Sequence, residues 1–403
     1  MNLQMKTLLA AICAVAVATV YAAQPVLTQM GRDLQVPTDA LGWLVSAGQL
    51  GYLVGLVVLV PLGDRFDRRR LIALHLGLVG IGMLAVALAP TAGVAFAGLA
   101  LTGIFAVVVQ TTVAYAAAVS EPGERGRNLG FVTSGVVVGI LGSRLIAGVL
   151  ADVWGWRSIY IVFAVLSLVL GVAALRLLPA DVRSTSRRYA DLVGGVGRLL
   201  TEPLFLSRGA IAFFLFASFG SLWSGLALPL SDAPGELTET QIGLFGLAGL
   251  TGALGATRAG RWADSGKANR VTGVALLALV ASWALIGQLS WSLSLLIVGI
   301  VVLDFAVQAV HVSNQHILTS RHPDRVSTTI GGYMIFYSLG SAVGAITTTA
   351  VFSAWGWVGS SMLGAMFAAG AVVAWAFGIS VARGTSGAEP SPVRGPTTTA
   401  HRT

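Results

Sequence analysis

The chain has 403 residues, of which 55% are hydrophobic and only 10% are charged, and its mean hydropathy is +0.82. Soluble domains carry roughly 25% charged residues, so this composition excludes a soluble globular protein and indicates an integral membrane protein. The net charge of +8 also fits nucleic-acid binding, but the basic residues cluster in short loops between apolar segments, where membrane topology explains them. The single cysteine, Cys13, excludes an intrachain disulfide and a cysteine metal site.

Twelve apolar segments are long enough to cross a bilayer as helices, since a span needs about 20 residues. In chain order they are residues 6–27, 39–61, 69–90, 93–119, 127–150, 155–178, 207–230, 239–260, 269–289, 292–318, 327–352 and 357–380. The first segment also resembles a cleavable signal peptide, but its removal would leave eleven spans. We therefore interpret it as the first transmembrane helix.

One long internal polar stretch divides the spans into two sets of six. We predict an N-terminal half over 1–178, a linker over 179–206, a C-terminal half over 207–382 and a disordered tail over 383–403. With the N-terminus inside the cell, only Arg32 and Arg157 fall in outer loops, so positive charge predicts cytoplasmic N- and C-termini. The strong preference for Arg over Lys is typical of a GC-rich bacterium, which predicts the bacterial inner membrane.

Two short sequence motifs recur about half the chain length apart. The tripeptide Trp154-Gly155-Trp156 returns as Trp355-Gly356-Trp357, 201 residues later. An aspartate among basic residues also recurs in the short loops after the second and eighth spans, 200 residues apart. These loops contain Asp64, Arg65, Arg68 and Arg69 in the first copy and Arg261, Asp264 and Lys267 in the second.

Duplicated membrane halves are typical of secondary transporters. A carboxylate in such a loop can pair with a basic side chain, or with a neighbouring helix N-terminus, in one conformation and release it in another. We predict that the residues of both loops form a cytoplasmic gate; the alternative is simple anchoring by positive charge.

Two charges lie well inside spans, where charged side chains are costly and usually functional. Asp304 lies near the predicted midplane, and Asp304, Gln308, His311 and Gln315 fall on one face of the tenth span. We predict that Asp304 carries an exchangeable proton, with Arg144 in the fifth span as its partner or as a contact for an anionic group. A structural stripe of hydrogen-bonded residues is the alternative; two metal ligands, Asp304 and His311, are too few for a metal site.

The first loop, Val60-Pro-Leu-Gly-Asp64-Arg65-Phe-Asp67-Arg68-Arg69, resembles the Gly-x-x-x-Asp-Arg-x-Gly-Arg-Arg motif of the major facilitator superfamily. Both glycines of the motif are replaced here, by Val60 and Asp67. Further similarity to the drug and metabolite efflux (drug:proton antiporter) branch, and to its sugar and nucleoside efflux-like subgroup, lies in four segments. They are Tyr21-Ala-Ala-Gln24-Pro25, Gln49-Leu-Gly-Tyr52, helix 5 from Ser134-Gly135 through Gly139 to Arg144, and helix 10 from Asp304 to Asn314-Gln315.

The resemblance implies twelve transmembrane helices in two pseudo-symmetric six-helix halves, the major facilitator fold, and a monomer. It also implies that helices 1, 4, 7 and 10 surround a central cavity. The expected cavity residues are Tyr21, Gln24, Gln49, Tyr52, Gln110, Tyr115, Trp223, Gln308, His311 and Gln315. Helix 4 lacks the charge, and helix 5 the proline, that many members use for proton transfer, so proton coupling would need another arrangement.

These features predict a secondary transporter that exports a drug, sugar or nucleoside-like metabolite, with protons as the coupled ion, the bilayer as its environment and no cofactor. Uptake by symport, or facilitated diffusion, stays open. An intramembrane enzyme would need a cluster of acids, a Ser/His pair or a metal set, and the sequence offers none of these; we predict that the chain is not an enzyme.

Overall fold

A computed structural model describes residues 1–121, 123–181, 197–231, 237–255, 268–322 and 326–386. The described elements are helices, which we number by membrane span. They are α1 (Leu3–Leu34), α2 (Gly42–Val58), α3 (Arg68–Ala87), α4 (Ala92–Val119), α5 (Arg125–Trp154), α6 (Trp156–Leu177), α7 (Pro203–Leu230), α8 (Glu239–Gly255), α9 (Ala268–Ile286), α10 (Leu293–Arg321) and Val326–Ser386. The last of these is divided at Gly356 into α11 and α12.

Among the described residues, ten helices are long and apolar enough to cross a membrane. Two facts reconcile this number with twelve spans. The final helix holds two spans, and α8 is described for 17 residues, just short of a full crossing. The all-α membrane fold with twelve spans in two halves is confirmed.

The predicted edges of some segments were wrong. α1 ends at Leu34 rather than at residue 27, because a 3₁₀ turn at Gln24–Val26 bends the helix without ending it. α7 begins at Pro203, whose fixed φ suits the first turn of a helix. α12 continues to Ser386, beyond the predicted start of the tail at 383, and residues 387–403 lie outside the described part.

The repeated Trp-Gly-Trp tripeptides form equivalent turns. Gly155 joins α5 to α6 with φ of 78°, and Gly356 joins α11 to α12 with φ of 60°. A positive φ favours glycine because a side chain there is strained. In each copy the first tryptophan is 71% exposed. The second donates its indole N–H, from Trp156 to Asp33 and from Trp357 to the carbonyl of Ile286.

The same duplication governs how helices pack. Gly51 on α2 rests on the carbonyl of Ala100 on α4, and 201 residues later Gly252 on α8 rests on that of Val301 on α10. A Cβ at either glycine would overlap the carbonyl, so the glycines permit this close packing. Two further pairs of glycines, related by 205 residues, permit close packing of α5 on α1 and of α11 on α7. On α5, Gly135 and Gly139 pack against the carbonyls of Ala10 and Ala14. On α11, Gly340 and Gly344 pack against those of Phe213 and Ala217.

We call the end of the bundle that carries Arg65, Arg68 and Arg125 the basic face, and the end with the turns at Gly155 and Gly356 the opposite face. Hydrogen bonds join the two halves toward the opposite face. On one side the α2 residue Ser46 donates to the carbonyl of Ala342 on α11, and the Gly42 N–H donates to Thr349. α5 and α8 pack together on the other side.

An interaction at the end of α8 completes this closure. The carboxylate of Asp152, on α5, accepts hydrogen bonds from the backbone N–H groups of Glu239 at 3.1 Å and Thr240 at 2.8 Å. The first N–H groups of a helix lack partners within the helix, so a carboxylate there both caps α8 and complements its dipole. Asp152 therefore links the C-terminal end of α5 in one half to the start of α8 in the other.

Candidate functional site

Arg144 is the centre of the candidate site. It lies on α5 with 1% of its surface exposed, and its guanidinium donates from Nε at 3.2 Å and Nη2 at 2.8 Å to the Gln24 Oε1 atom of α1. Nη1 donates to the carbonyl of Ile140 at 2.9 Å, one turn back on α5. Both acceptors, the Gln24 amide oxygen and the Ile140 carbonyl, are neutral groups, so these three hydrogen bonds leave the positive charge of Arg144 uncompensated.

Asp304, on α10, is also 1% exposed; among the described residues no hydrogen bond of ordinary geometry reaches its carboxylate, whose polar neighbours are the Trp223 indole and the Arg144 guanidinium. An ionised carboxylate without partners is very costly to bury, whereas a neutral carboxyl costs far less. The Asp304 carboxylate and the Arg144 guanidinium interact across the space between the halves. The sequence prediction that these two groups share one region is consistent with this geometry.

Trp223, on α7, contacts both charged groups. The Cζ atom of Arg144 lies 3.7 Å from the centre of its ring, within the range of a strong cation–π interaction. The edge of the same ring and the Asp304 carboxylate both lie close to Gly249. A Cβ built on Gly249 would lie 2.9 Å from Asp304 Oδ2 and 2.9 Å from Trp223 Cζ2. Glycine at 249 therefore makes room for both side chains.

The aromatic surroundings of Arg144 include two more rings, those of Tyr21 and Phe219, each with its centre 5.7 Å from Cζ. Toward the opposite face lies a cavity of about 10 Å³, room for about one water molecule. Its lining is Gln24, Pro25, Arg144, Trp223, Leu226, Ala227 and Ile242.

The predicted stripe on α10 is partly assembled into a hydrogen-bonded network. His311 contacts the Tyr333 hydroxyl through Nδ1 at 3.2 Å and Gln315 through Nε2 at 3.0 Å. Phe216 packs against His311, with ring centres 5.2 Å apart, and against Tyr337 at 4.0 Å. These contacts place His311 and Gln315 in the C-terminal half, toward the basic face from Asp304. Gln308, which lies between Asp304 and His311 on α10, is half-buried.

Other predicted cavity residues lie around the interface between the halves. Tyr21 meets the hydroxyl of Tyr337, on α11, and this contact crosses between the halves. Gln110 on α4 donates to the Tyr52 hydroxyl on α2 at 3.1 Å, within the N-terminal half. Gln49 is 1% exposed on α2.

Tyr115 lies away from the central site. Its hydroxyl donates to the carbonyl of Pro179 at 2.9 Å, at the basic-face end of α4. Both Gln110 and Tyr115 of α4 were predicted to line the cavity. In the structure Gln110 points toward α2, and Tyr115 points toward the segment that follows α6.

The first of the two predicted gate loops is tied to the start of the linker. Arg68 donates to Asp181 at 3.1 Å, and Arg69 donates at 3.5 Å to the carbonyl of Leu178. Asp67, which replaces a motif glycine, caps α3 by accepting from the Arg69 N–H and also accepts from the Asp181 N–H. These contacts stay within the N-terminal half and its linker.

Parts of the predicted gate cannot be placed. Arg65 is exposed. The side chain of Asp64 and the whole of Arg261, Asp264 and Lys267 lie outside what the structure describes. The gate therefore stays a prediction.

Several site residues were missed by the sequence analysis. Gly249, Phe219 and Tyr337 lie in contact with the predicted residues but carry no charge and no polarity pattern that sets them apart. Asp152 was missed because it lies at a helix end, where a carboxylate is unremarkable in sequence. The duplication of the halves offered one signal: it marks which glycines pack against carbonyls, and Gly249, near Gly252, belongs to such a stretch.

Residues 8–231 match the family model described as Major Facilitator Superfamily. The chain belongs to this superfamily. It is 39% identical over 361 residues to the "Uncharacterized transporter YgaY" of Escherichia coli O157:H7, covering 89% of this chain and 92% of that protein. A shorter match, 29% over 189 residues, covers 46% of this chain and 34% of the "Multidrug resistance protein Stp" of Mycobacterium tuberculosis.

The fold is similar to that of solved superfamily transporters. A crystal structure of a bacterial homolog to the human lysosomal transporter Spinster, inward-facing and unoccupied, aligns with a TM-score of 0.78, covering 97% of this chain and 98% of that one, at 15% identity. The chain is thus a multi-pass membrane transporter of the major facilitator type and not an enzyme. In a superfamily member, the region between the halves that holds Arg144 and Asp304 is where a substrate site is expected.

Proposed function

We propose that this chain is a secondary transporter that exports a small organic molecule, a drug, sugar or nucleoside-like metabolite, in exchange for protons. The observation that carries the proposal is the buried Asp304 carboxylate, which approaches the indole of Trp223 and interacts with the buried Arg144 guanidinium between the halves. A carboxyl in this position alternates between a neutral form that is cheap to bury and a charged form that interacts with Arg144.

The proposed cycle uses the two closures of the bundle. The basic face is cytoplasmic, and both termini lie on that side of the inner membrane. When the halves open toward the opposite face, Asp304 takes a proton from outside and substrate leaves. When they open toward the basic face, the proton leaves Asp304 to the cytoplasm as substrate binds. The described contacts between the halves, at Ser46, Gly42 and Asp152, close the opposite face, which matches the second of these states.

Two further features support the proposal, the first for export and the second for the class of substrate. A relative across part of the chain is named for multidrug resistance. The aromatic rings of Tyr21, Phe219 and Trp223 around one cation offer a surface against which a flat or amphipathic molecule would stack. We propose that the chain works as a monomer, with substrate and protons as its ligands.

The test is transport in liposomes with an imposed pH gradient. Purified protein is reconstituted, and the uptake of a labelled lipophilic cation, a nucleoside and a monosaccharide is measured with the interior acidic and then with the gradient reversed. Antiport accumulates substrate only when the interior is acidic, because protons leave as substrate enters. Accumulation only with an acidic exterior would instead show symport. Equilibration independent of either gradient would show facilitated diffusion; both results would overturn the proposal.

A further inference from the structure

The Arg144 guanidinium has donors that its known partners do not use. Arginine carries five N–H groups. Nε–H and one N–H of Nη2 bind Gln24, and one N–H of Nη1 binds the carbonyl of Ile140. One N–H on each terminal nitrogen remains. Among the described residues, neither of these two N–H groups donates a hydrogen bond to Asp304.

Arg144 also lines the cavity of about 10 Å³ at its opposite-face side. The other lining residues are apolar apart from Gln24 and Trp223, and none of them is acidic. An organic substrate needs a pocket of roughly 300 Å³ or more, so this cavity is far too small for one. A single water molecule or a monatomic ion fits it.

We propose that this cavity binds one small monovalent anion, such as chloride, against the guanidinium of Arg144. A cation is disfavoured because Arg144 is positive and the lining offers no carboxylate. A bound anion would compensate the buried charge of Arg144, whose hydrogen-bond partners are neutral. An uncompensated charge is costly in an apolar interior. The proposed anion is distinct from the exported substrate, and its binding rests on the proposed function only through the charge of Asp304.

Anion binding at this place is linked to Asp304. The titratable groups that interact with Arg144 are Asp304, Tyr21 and Tyr337. The tyrosines are neutral when protonated, so Asp304 alone competes with an anion for the charge of Arg144. Asp304→Asn removes that competitor, and we expect the variant to bind the anion more tightly, by about tenfold if the removed interaction is worth about 1.4 kcal/mol.

Crystals of the full-length protein soaked in bromide test the site directly. Bromide replaces chloride and is located by its anomalous scattering. We expect an anomalous peak within hydrogen-bonding reach of the terminal nitrogens of Arg144 in the wild-type protein, a result that needs no variant. Density without anomalous signal would identify a water molecule and overturn the proposal.

A solution measurement decides whether binding occurs below crystal concentrations. Full-length protein in chloride-free detergent buffer is titrated with chloride, bromide and sulfate at constant ionic strength, and Tm is recorded. We expect chloride and bromide, but not sulfate, to raise Tm in a saturable way by a few degrees. The rise should vanish in Arg144→Gln and persist in Arg208→Gln, a matched control, because Arg208 is a buried arginine on α7 that does not line the cavity.

The remaining outcomes are also decisive. A Tm rise that is the same in wild type, Arg144→Gln and Arg208→Gln would be a general salt effect and would overturn the proposal. So would a bromide peak with no halide effect on Tm, which means binding at crystal concentration only. If Arg144→Gln does not fold, Arg144→Lys keeps the charge but loses the two-nitrogen geometry, and a weakened halide effect in that variant supports the site.

Discussion

The Asp304 carboxylate and the Arg144 guanidinium face each other in the buried centre of the bundle without bonding to each other. Arg144 instead donates to Gln24 and to the carbonyl of Ile140, and the ring of Trp223 contacts both charged groups. A buried ion pair held at a distance is costly, and such a pair is retained where one of its members changes charge or partner. Under the proposed mechanism, this arrangement is the structural basis of proton coupling.

The duplication of the halves does not extend to this pair. The contacts of Gly51 with Ala100 and of Gly252 with Val301 relate α4 to α10 by an offset of 201 residues. By this offset, the position in α4 that is equivalent to Asp304 is Gly103. By the offset of 205 that relates Gly139 to Gly344, the counterpart of Arg144 is Thr349, whose hydroxyl accepts from the Gly42 N–H at the opposite face. The helix-packing contacts of these glycines thus follow the duplication, whereas the two buried charges do not.

Gly249 tests how tightly the central site is packed. In Gly249→Ala, the new methyl would lie 2.9 Å from both Asp304 Oδ2 and Trp223 Cζ2, so one of them must move. We expect at least a tenfold loss of gradient-driven transport with little loss of folded protein. The control is Gly142→Ala on α5, where the nearest atom lies 3.9 Å from the built Cβ, and it should transport like wild type. Equal activity of the two variants would mean that the Asp304–Trp223 geometry is unimportant.

The helix-packing glycines predict a contrast in stability. Gly51→Ala drives a methyl into the carbonyl of Ala100 and forces α2 and α4 apart, at a cost of about 1–3 kcal/mol. Gly77→Ala, on α3, meets no atom within 4 Å and should be neutral or slightly stabilising, because alanine favours the helix. Thermal unfolding in detergent, followed by helical circular dichroism, measures the difference. A Gly51→Ala protein as stable as Gly77→Ala would contradict the packing described here.

Asp152 is expected to hold the opposite face closed. Asp152→Ala removes the acceptor for two backbone N–H groups at the start of α8, so the halves should separate there more often. The probe is a cysteine at Leu228, which is buried on α7 at this face, introduced into a Cys13→Ala background. We expect a membrane-impermeant maleimide to label it several-fold faster in Asp152→Ala.

The control for this experiment is Asp33→Asn. Asp33 pairs with Arg157 at 2.8 Å on the same face, but both residues belong to the N-terminal half. Loss of that pair should leave the labelling rate unchanged. If both variants accelerate labelling equally, the effect is a general loosening of this face and not a gate at Asp152.

The fold could be predicted from the sequence because its two determinants are local. Runs of about 20 apolar residues mark spans, and a repeated tripeptide with an obligatory glycine marks the equivalent turns at Gly155 and Gly356. Helix edges were less accurate. α1 continues through Gln24–Val26 to Leu34 because its outer end packs against α7 and other elements at the opposite face, and no local signal reports that packing.

The candidate site was predictable only where it carries charge. Asp304 and Arg144 are identifiable because a charged residue inside a span is costly to bury and is therefore usually functional. Their shared contact with Trp223 is not identifiable, because it depends on how α5, α7 and α10 are rotated about their axes. Tyr115 shows the same limit: two positions five residues apart on α4, Gln110 and Tyr115, turn toward different neighbours.

The central claim is that Asp304 carries the exchanged proton, and proton release measures it most directly. Detergent-purified protein in a weakly buffered solution is mixed with members of the substrate panel while the pH of the solution is followed, for wild type, Asp304→Asn and the control Glu121→Gln, an exposed carboxylate of a basic-face loop. We predict that one ligand class releases protons from wild type and Glu121→Gln but not from Asp304→Asn. Equal release from Asp304→Asn, or binding without release in all three proteins, would contradict the account.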